Sequence, residues 1–313
     1  MRKLISVVLF FATVLAVGSF AAYPSRTVKL IVPSKAGGST DTTARLFAQT
    51  AKKYWKNIDF IIVDKPGSGG LMGFNAEARS RPDGYTIGLM FTPQIVAHIV
   101  AKRARYTLDS FKIVGNIAED PEIVVVNSAS SIKNLDDLVK AAKAKRLTVA
   151  VNGIGSDDFL AAKNFEALTG VKFNLMPTKG STEEKAAILG NHIAAAFMNL
   201  SQMLAQHKAG KVRIIAIMSK KRADVAKDIK TSVEQGYNVL MTATRGMVIP
   251  AKVKKDVADK IIDLYTKVVH DKDFQAKCKK AYIFLDPMDS KTYRAYLEQL
   301  QKDTQKVYDQ SPW

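Results

Sequence analysis

Four turns rich in glycine and hydroxyl side chains are the segments of this chain whose residue types fit a chemical task, and the task is holding a small anion. The first, Ser34-Lys35-Ala36-Gly37-Gly38-Ser39-Thr40-Asp41, leaves the apolar run Val28 to Val32 and enters an amphipathic helix. Its two glycines let backbone approach a ligand closely. Ser39, Thr40 or Asp41 can cap the helix, whose first N–H groups have no partner within the helix. A carboxylate or phosphate placed there gains hydrogen bonds and roughly 0.3–2 kcal/mol from the helix dipole.

A second turn, Pro66-Gly67-Ser68-Gly69-Gly70, joins the run Phe60 to Val63 to a helical segment, Leu71 to Ser80. Two such turns would lie at the carboxyl ends of neighbouring strands, where open α/β sheets bind ligands. A plain tight connection is the alternative for this turn taken alone. The third, Asn152-Gly153-Ile154-Gly155-Ser156-Asp157, follows the run Leu147 to Val151. Its amides and Ser156 are placed to close on a ligand, or Ser156 or Asp157 merely caps the next helix. The fourth is Thr178-Lys179-Gly180-Ser181-Thr182, with Lys179 as a charge partner.

Other chemistries fail on spacing. Met72 stands where the third glycine of a dinucleotide fingerprint belongs, and no lysine follows the first loop's glycines as in a phosphate-binding P-loop. Pro66 removes a Gly-x-Ser-x-Gly nucleophile elbow. His98, His192, His207 and His270 are dispersed without ligand spacing, so no metal is expected, and most of them read as surface or capping residues. No cofactor is expected and no catalytic residue is assigned.

The elements that must position these turns alternate. Strand-like runs at Val28 to Val32, Phe60 to Val63, Tyr85 to Phe91, Ile123 to Val126, Leu147 to Val151, Ile193 to Phe197 and Arg213 to Met218 are separated by helical spacing such as Ala44, Phe47, Ala48, Ala51 and Trp55. This is doubly wound α/β architecture. The last third is mostly helical, with stripes at Val253, Val257, Ile261, Leu264, Val268 and at Tyr293, Leu297, Leu300, Val307. No linker divides the chain, so the domain boundaries fall on crossing strands: Ile123 to Asn127 after the Pro121 break, and Asn238 to Pro250 with its turn-like Thr242-Ala243-Thr244-Arg245-Gly246. The expected division is 22–123 with 243–313 in one lobe and 124–242 in the other, with a cleft between them.

Arg2-Lys3, the uncharged run Leu4 to Val17 and the small residues Gly18 to Ala22 have the layout of a secretory signal peptide, 1–21, cleaved after Ala21. An uncleaved anchor is the alternative, since Leu4 to Ala22 is just long enough to span a bilayer. The remainder is long enough for two cores. Its one cysteine, Cys278, cannot form an internal disulfide. The formal charge of +18 favours anionic partners, but the lysines are scattered and the chain is read as exported, so nucleic acid is not expected.

Taken together, VKLIVPSKAGGSTDTTARL, DKPGSGGLMGFNAEARSRPDGYTIG, VNGIGS, MPTKGS, HKAGKVRIIAIMSKKR and TRGMVIP resemble the substrate-binding proteins of tripartite tricarboxylate transporters, the Bordetella uptake gene family, over nearly all of the mature chain. The resemblance implies a type II periplasmic-binding-protein fold, two doubly wound lobes around a central cleft, closing like a flytrap over a small organic carboxylate. It further implies a monomer that delivers this ligand to the membrane permease subunits of the transporter; signalling to a membrane sensor kinase is the alternative output. Carried onto matching positions, it implies ligand contacts at Ala36, Gly37, Gly38, Thr40 and Asp41, at Gly69 and Gly70, and from the closing lobe at Asn152, Gly155, Ser156, Lys179 and Asn199.

The chain departs from the family's usual residues at Ser34, Lys35 and Thr178, and at Ala194 and Met198, where acidic residues are common. Fewer acids and a gained Lys35 point to a ligand with more negative charge and no ammonium group. Arg245 can grip a second carboxylate bidentately or serve as an interdomain tie. The expected result is that a dicarboxylate binds more tightly than its monocarboxylate analogue; equal affinities in a titration would refute this reading.

Overall fold

The computed structural model describes residues 23–178 and 180–313. The segment read as a signal peptide, 1–21, and Lys179 lie outside the described residues. Short β-branched and apolar runs form parallel strands, each followed by a helix. Strand β1 (Val28–Val32) pairs in parallel with β2 (Phe60–Asp64) and β3 (Thr86–Phe91). The helices α1 (Ser39–Ala51), α2 (Leu71–Ala78) and α3 (Gln94–Val100) follow them in turn.

One long strand, β4 (Phe111–Asn127), leads out of this unit, and α4 (Leu135–Ala144) begins the next. There β5 (Thr148–Val151) runs parallel to both β6 (Asn174–Pro177) and β7 (Ala195–Asn199). Helices α5 (Asp157–Thr169), α6 (Ser181–Leu189) and α7 (Leu200–Lys208) follow those strands, and β8 (Val212–Ile217) returns against β4. Strand β9 (Thr242–Pro250) then crosses back. Helices α8 (Lys255–Val269) and α9 (Lys272–Lys280), strand β10 (Leu285–Met288) and helix α10 (Ser290–Gln310) complete the chain.

The path β2-β1-β3-β9-β4-β7-β5-β6 makes β4 common to two halves. Its first part pairs antiparallel with β9, from Phe111 opposite Pro250 to Pro121 opposite Thr242; its last part pairs with β7 and β8. Two sequence readings are corrected here. Pro121 does not break the strand, because its missing N–H falls at the handover between partners, where the Glu122 N–H donates to the Met241 carbonyl and the Met218 N–H to the Glu122 carbonyl. Thr242 to Gly246 is not a turn but the start of β9, where threonines suit a pleated, half-buried surface.

Period-two alternation along β4 feeds separate cores. Val124 and Val126 join Val149, Phe165 and Phe197 on one face, whereas Ile123 and Val125 join Ala196, Met198 and Met203 on the other. In the first half, Leu30, Phe47, Leu89, Ile261 and Leu264 pack on one side and Phe74, Met90, Phe111, Tyr293 and Leu297 on the opposite side. Helix α10 spans both halves, since Tyr293 and Leu297 sit in a core of the first and Val307, like Trp313 beyond the helix end, packs against a core of the second. Cys278 is buried in α9 as a free thiol. Among the described residues no helix is long and apolar enough to cross a membrane.

The crossing is tight where β9 meets α10. A methyl group at Gly246 would overlap the fully buried Tyr293 ring and stand 2.9 Å from the Gly115 carbonyl oxygen. Gly246→Ala is therefore expected to lower stability by about 1–3 kcal/mol through overpacking. An unchanged urea midpoint would show that the crossing relaxes freely.

Candidate functional site

The first loop is held by its own acid. Helix α1 starts after Gly38 with no side-chain cap, so none of Ser39, Thr40 or Asp41 caps it as their types allowed. Instead the Asp41 carboxylate turns back, accepting the Gly37 N–H at 2.7 Å and the Arg45 Nε–H at 2.9 Å. The Gly38 N–H donates to the Lys35 carbonyl. Those two glycine amides are therefore engaged, and the donors left for an anion are the first-turn amides of Ser39, Thr40 and Asp41. The Ser34 hydroxyl is buried beside Gly38 without a hydrogen-bond partner. Lys35, Ala36 and Gly37 are exposed, while Thr40 and Asp41 are buried.

The second loop lies against the first. Helix α2 approaches so closely that a Cβ at Gly73 would stand 2.6 Å from the Pro33 Cα. Gly70 caps α2 in the left-handed region at φ 88°, and a side chain there would meet Phe91 at 2.7 Å and Phe74 at 2.8 Å. The exposed Gly69 offers its carbonyl to the His98 Nε2–H at 3.0 Å. Burial lowers the His98 pKa below the usual imidazole value. His98 is thus neither a surface nor a capping residue; α3 turns it inward to brace the loop.

In the second half, Ser156 is a cap: its Oγ accepts the Phe159 N–H and donates to the Gly153 carbonyl. The Asn152 N–H donates to Asp158 Oδ2 at 2.9 Å. Gly155 packs against Ala97 of α3 and Trp313, and the buried Thr178 hydroxyl donates to backbone carbonyls of Val151 and Gly180. Asn199 ends β7 and caps α7, and its amide donates to Asp157 Oδ2 at 2.6 Å and Glu122 Oε2 at 3.3 Å. Met198 faces the core.

Contacts run continuously between the halves. Gln94 of α3 donates to Asp157 Oδ1 at 3.2 Å, joining the helix after β3 to the helix after β5. Arg245 of β9 pairs with Asp120 of β4 at 3.0 Å, both almost fully buried, and Ser201 also donates to Asp120. The Arg245–Asp120 pair joins neighbouring strands of one half, β9 and β4, and it is Ser201 that links Asp120 to the other half.

Sequence reasoning passed over Asp120, Glu122, Asp158 and Glu184. Glu122, Asp157, Asp158 and Glu184 are each at most 3% exposed. Burial pushes all four carboxyls above their ordinary range, Glu184 to about 8. Their one sequence signal is the pair Asp157-Asp158 behind a capping serine. A surface hollow of about 560 Å³, lined by Lys143, Lys145, Arg146 and Lys172, lies at the opposite end of β5 from these loops. None of the four glycine-rich turns lines it.

Residues 43–308 match the family model described as the tripartite tricarboxylate transporter family receptor. Over 245 residues the chain is 31% identical to Protein BugT of Bordetella pertussis, covering 76% of this chain and 75% of that one. Its structure is similar to that of the periplasmic binding protein BugD, with a TM-score of 0.82 and 25% identity over 92% of this chain and 98% of that one. It also shares its fold with Rpa4515 of R. palustris, solved with adipate, at a TM-score of 0.83 and 21% identity over 92% and 97% of the two chains.

Removing one partner of a buried ion pair strands the other charge. Arg245→Met is expected to cost about 3–5 kcal/mol of stability, and Arg245→Met with Asp120→Leu to recover most of it. Denaturant unfolding of both variants tests this. A single variant as stable as the parent would remove Arg245 from the structural tie.

Proposed function

The chain belongs to the tripartite tricarboxylate transporter receptor family of periplasmic solute-binding proteins, and from that premise we propose that it captures a small organic carboxylate, di- or tricarboxylate in preference, by cleft closure and delivers it to the transporter's membrane permease subunits. The observation that carries this reading is the uncapped start of α1. Ser39, Thr40 and Asp41 present amides there at the positive end of a helix, the buried Ser34 hydroxyl lies close by without a partner, and Asp41 braces the loop through Gly37. A carboxylate accepting these N–H groups forms charge-assisted hydrogen bonds.

In this reading Ala36, Gly37, Gly38, Gly69 and Gly70 shape the floor through backbone, and Asn152, Gly155, Ser156, Thr178, Lys179 and Asn199 belong to the closing half. The hydroxyls of Ser156 and Thr178 and the amide of Asn199 are engaged with protein groups, so they set the form of the closing surface. Lys35 is exposed at the mouth of the first loop and selects for a second carboxylate. The lobes are residues 22–123 with 243–313 and residues 124–242, hinged in β4 and β9, and the receptor acts as a monomer. It binds its ligand and releases it unchanged.

A thermal-shift screen of mono-, di- and tricarboxylates on ligand-free protein tests the proposal. A ligand at a hundredfold excess over its dissociation constant stabilises by about 2.7 kcal/mol. Lys35→Ala is expected to weaken a di- or tricarboxylate roughly fivefold while leaving a monocarboxylate unchanged, as fits one exposed charge. Absence of a shift with every carboxylate would sink the proposal, and equal weakening of all three classes would remove Lys35 as the selector.

A further inference from the structure

Behind the closing loops, four carboxyl side chains meet from elements distant in sequence: Glu122 of β4, Asp157 and Asp158 in the first turn of α5, and Glu184 in the first turn of α6. One oxygen from each of Glu122, Asp157 and Asp158 lies within 4.8 Å of the others. Glu184 supplies a second, independent observation. It enters from another helix, is fully buried with its carboxyl against that of Asp158, and neither of its oxygens receives a hydrogen bond. Glu122 Oε1 likewise has no donor.

The protein groups that do reach the cluster are few. Asn199 and Gln94 side-chain amides and the Asn152 N–H serve Asp157, Asp158 and one oxygen of Glu122. Among the described residues the cation acting on the cluster is Arg245, through Asp157, and its hydrogen-bonded partner is Asp120. Carboxylates removed from water need a compensating charge or ligand, because an isolated buried ion is too costly to hold. Two helix N-termini at the cluster favour the ionised form that a cation would require.

We infer that Glu122, Asp157, Asp158 and Glu184 form a divalent-cation site, with calcium as its ion. Calcium takes an all-oxygen shell of irregular shape at about 2.3–2.6 Å, so ligand oxygens on opposite sides stand up to about 4.6–5.2 Å apart, and this triad, whose oxygens all lie within 4.8 Å of one another, fits inside such a shell. Magnesium needs a tighter octahedron and keeps several waters, which a site closed to solvent does not supply. A bound ion ties β4, α5 and α6 together immediately behind Asn152 and Asn199. It thereby fixes the surface that closes on the ligand without touching the ligand itself. Dispersed histidines gave no sign of such a site because its donors are all carboxylates.

The test is calorimetric titration of Ca²⁺ into the purified, chelator-stripped protein, with metal content measured after dialysis and melting followed with and without Ca²⁺. One Ca²⁺ per chain is expected, with the melting midpoint raised by about 5 °C or more at a hundredfold excess over the dissociation constant. Glu184→Gln and Asp158→Asn should each lower calcium affinity by about tenfold or more, since each removes a charged ligand. Both replace an acid by an amide of similar shape, and their metal-free melting curves report whether they fold. Stripped parent protein that takes up no calcium and melts at the same temperature with and without it would overturn the inference. So would a melting midpoint that follows pH while ignoring calcium, because shared protons would then neutralise the cluster. Carboxylate binding is read in a separate titration, so failure here leaves the proposed function standing.

Discussion

Strand β4 has to serve two sheets, and the rest of the structure follows from how it does so. Its seventeen residues span roughly 55 Å when extended. Over that length it exchanges β9 and β10 for β7 and β8. At the exchange a proline lacks the N–H that a continuous ladder would use. Immediately beside it, Asp120 pairs with Arg245 across to β9. An ion pair buried this fully contributes little net stability against an apolar replacement, yet either charge left alone is strongly unfavourable. The pair therefore acts as a register lock: any slip of β9 along β4 would separate the two charges.

Strand direction decides where the loops meet. With β1, β2 and β3 parallel on one side and β5, β6 and β7 on the other, the strand-to-helix turns of each half emerge at the carboxyl ends of its strands. Gln94 reaching Asp157, and Gly155 resting on Ala97, bring the two sets of turns together. The consequence is electrostatic. Starts of helices from both halves converge on one region, so partial positive charge is built in from backbone alone. The sides differ in how they use it. The first loop leaves amides open, whereas the second half turns its helix starts onto buried acids.

Much of this could be read from the amino acids. Val28 to Val32 is a strand at those limits because its β-branched and apolar residues suit a buried parallel position, and the glycines after it can only be a turn into α1. The crossing at Asn238 to Pro250 was legible, but its segment Thr242 to Gly246 looked like a turn because threonines, an arginine and a glycine in succession imitate one; pairing with β4 and the ring of Tyr293 over Gly246 explain them. Asp41 was legible as a loop residue but not as the acceptor that engages Gly37, since that depends on the angle at which the chain enters the helix. His98, Glu122 and Glu184 gave no local signal at all. Each owes its role to neighbours brought in by other elements.

The open amides of the first loop and the overall charge of +18 act over different ranges. Screening confines the attraction of surface lysines to about 8–10 Å at ordinary ionic strength, so they raise the local concentration of anions without distinguishing one from another. Discrimination has to come from groups in contact with the ligand. Asp41 would oppose an anion if its charge were free, but Arg45 pairs with it and its Oδ2 accepts from both Gly37 and Arg45, which turns a repulsive group into the brace of the loop. The acids of the second half are likewise sealed behind Asn152 and Asn199. What the first loop leaves for an anion is therefore backbone N–H at the start of α1 and the exposed Lys35 at its rim. Under the proposed function, recognition of the common carboxylate is built from the backbone, and selectivity among carboxylates rests on the few side chains at the rim.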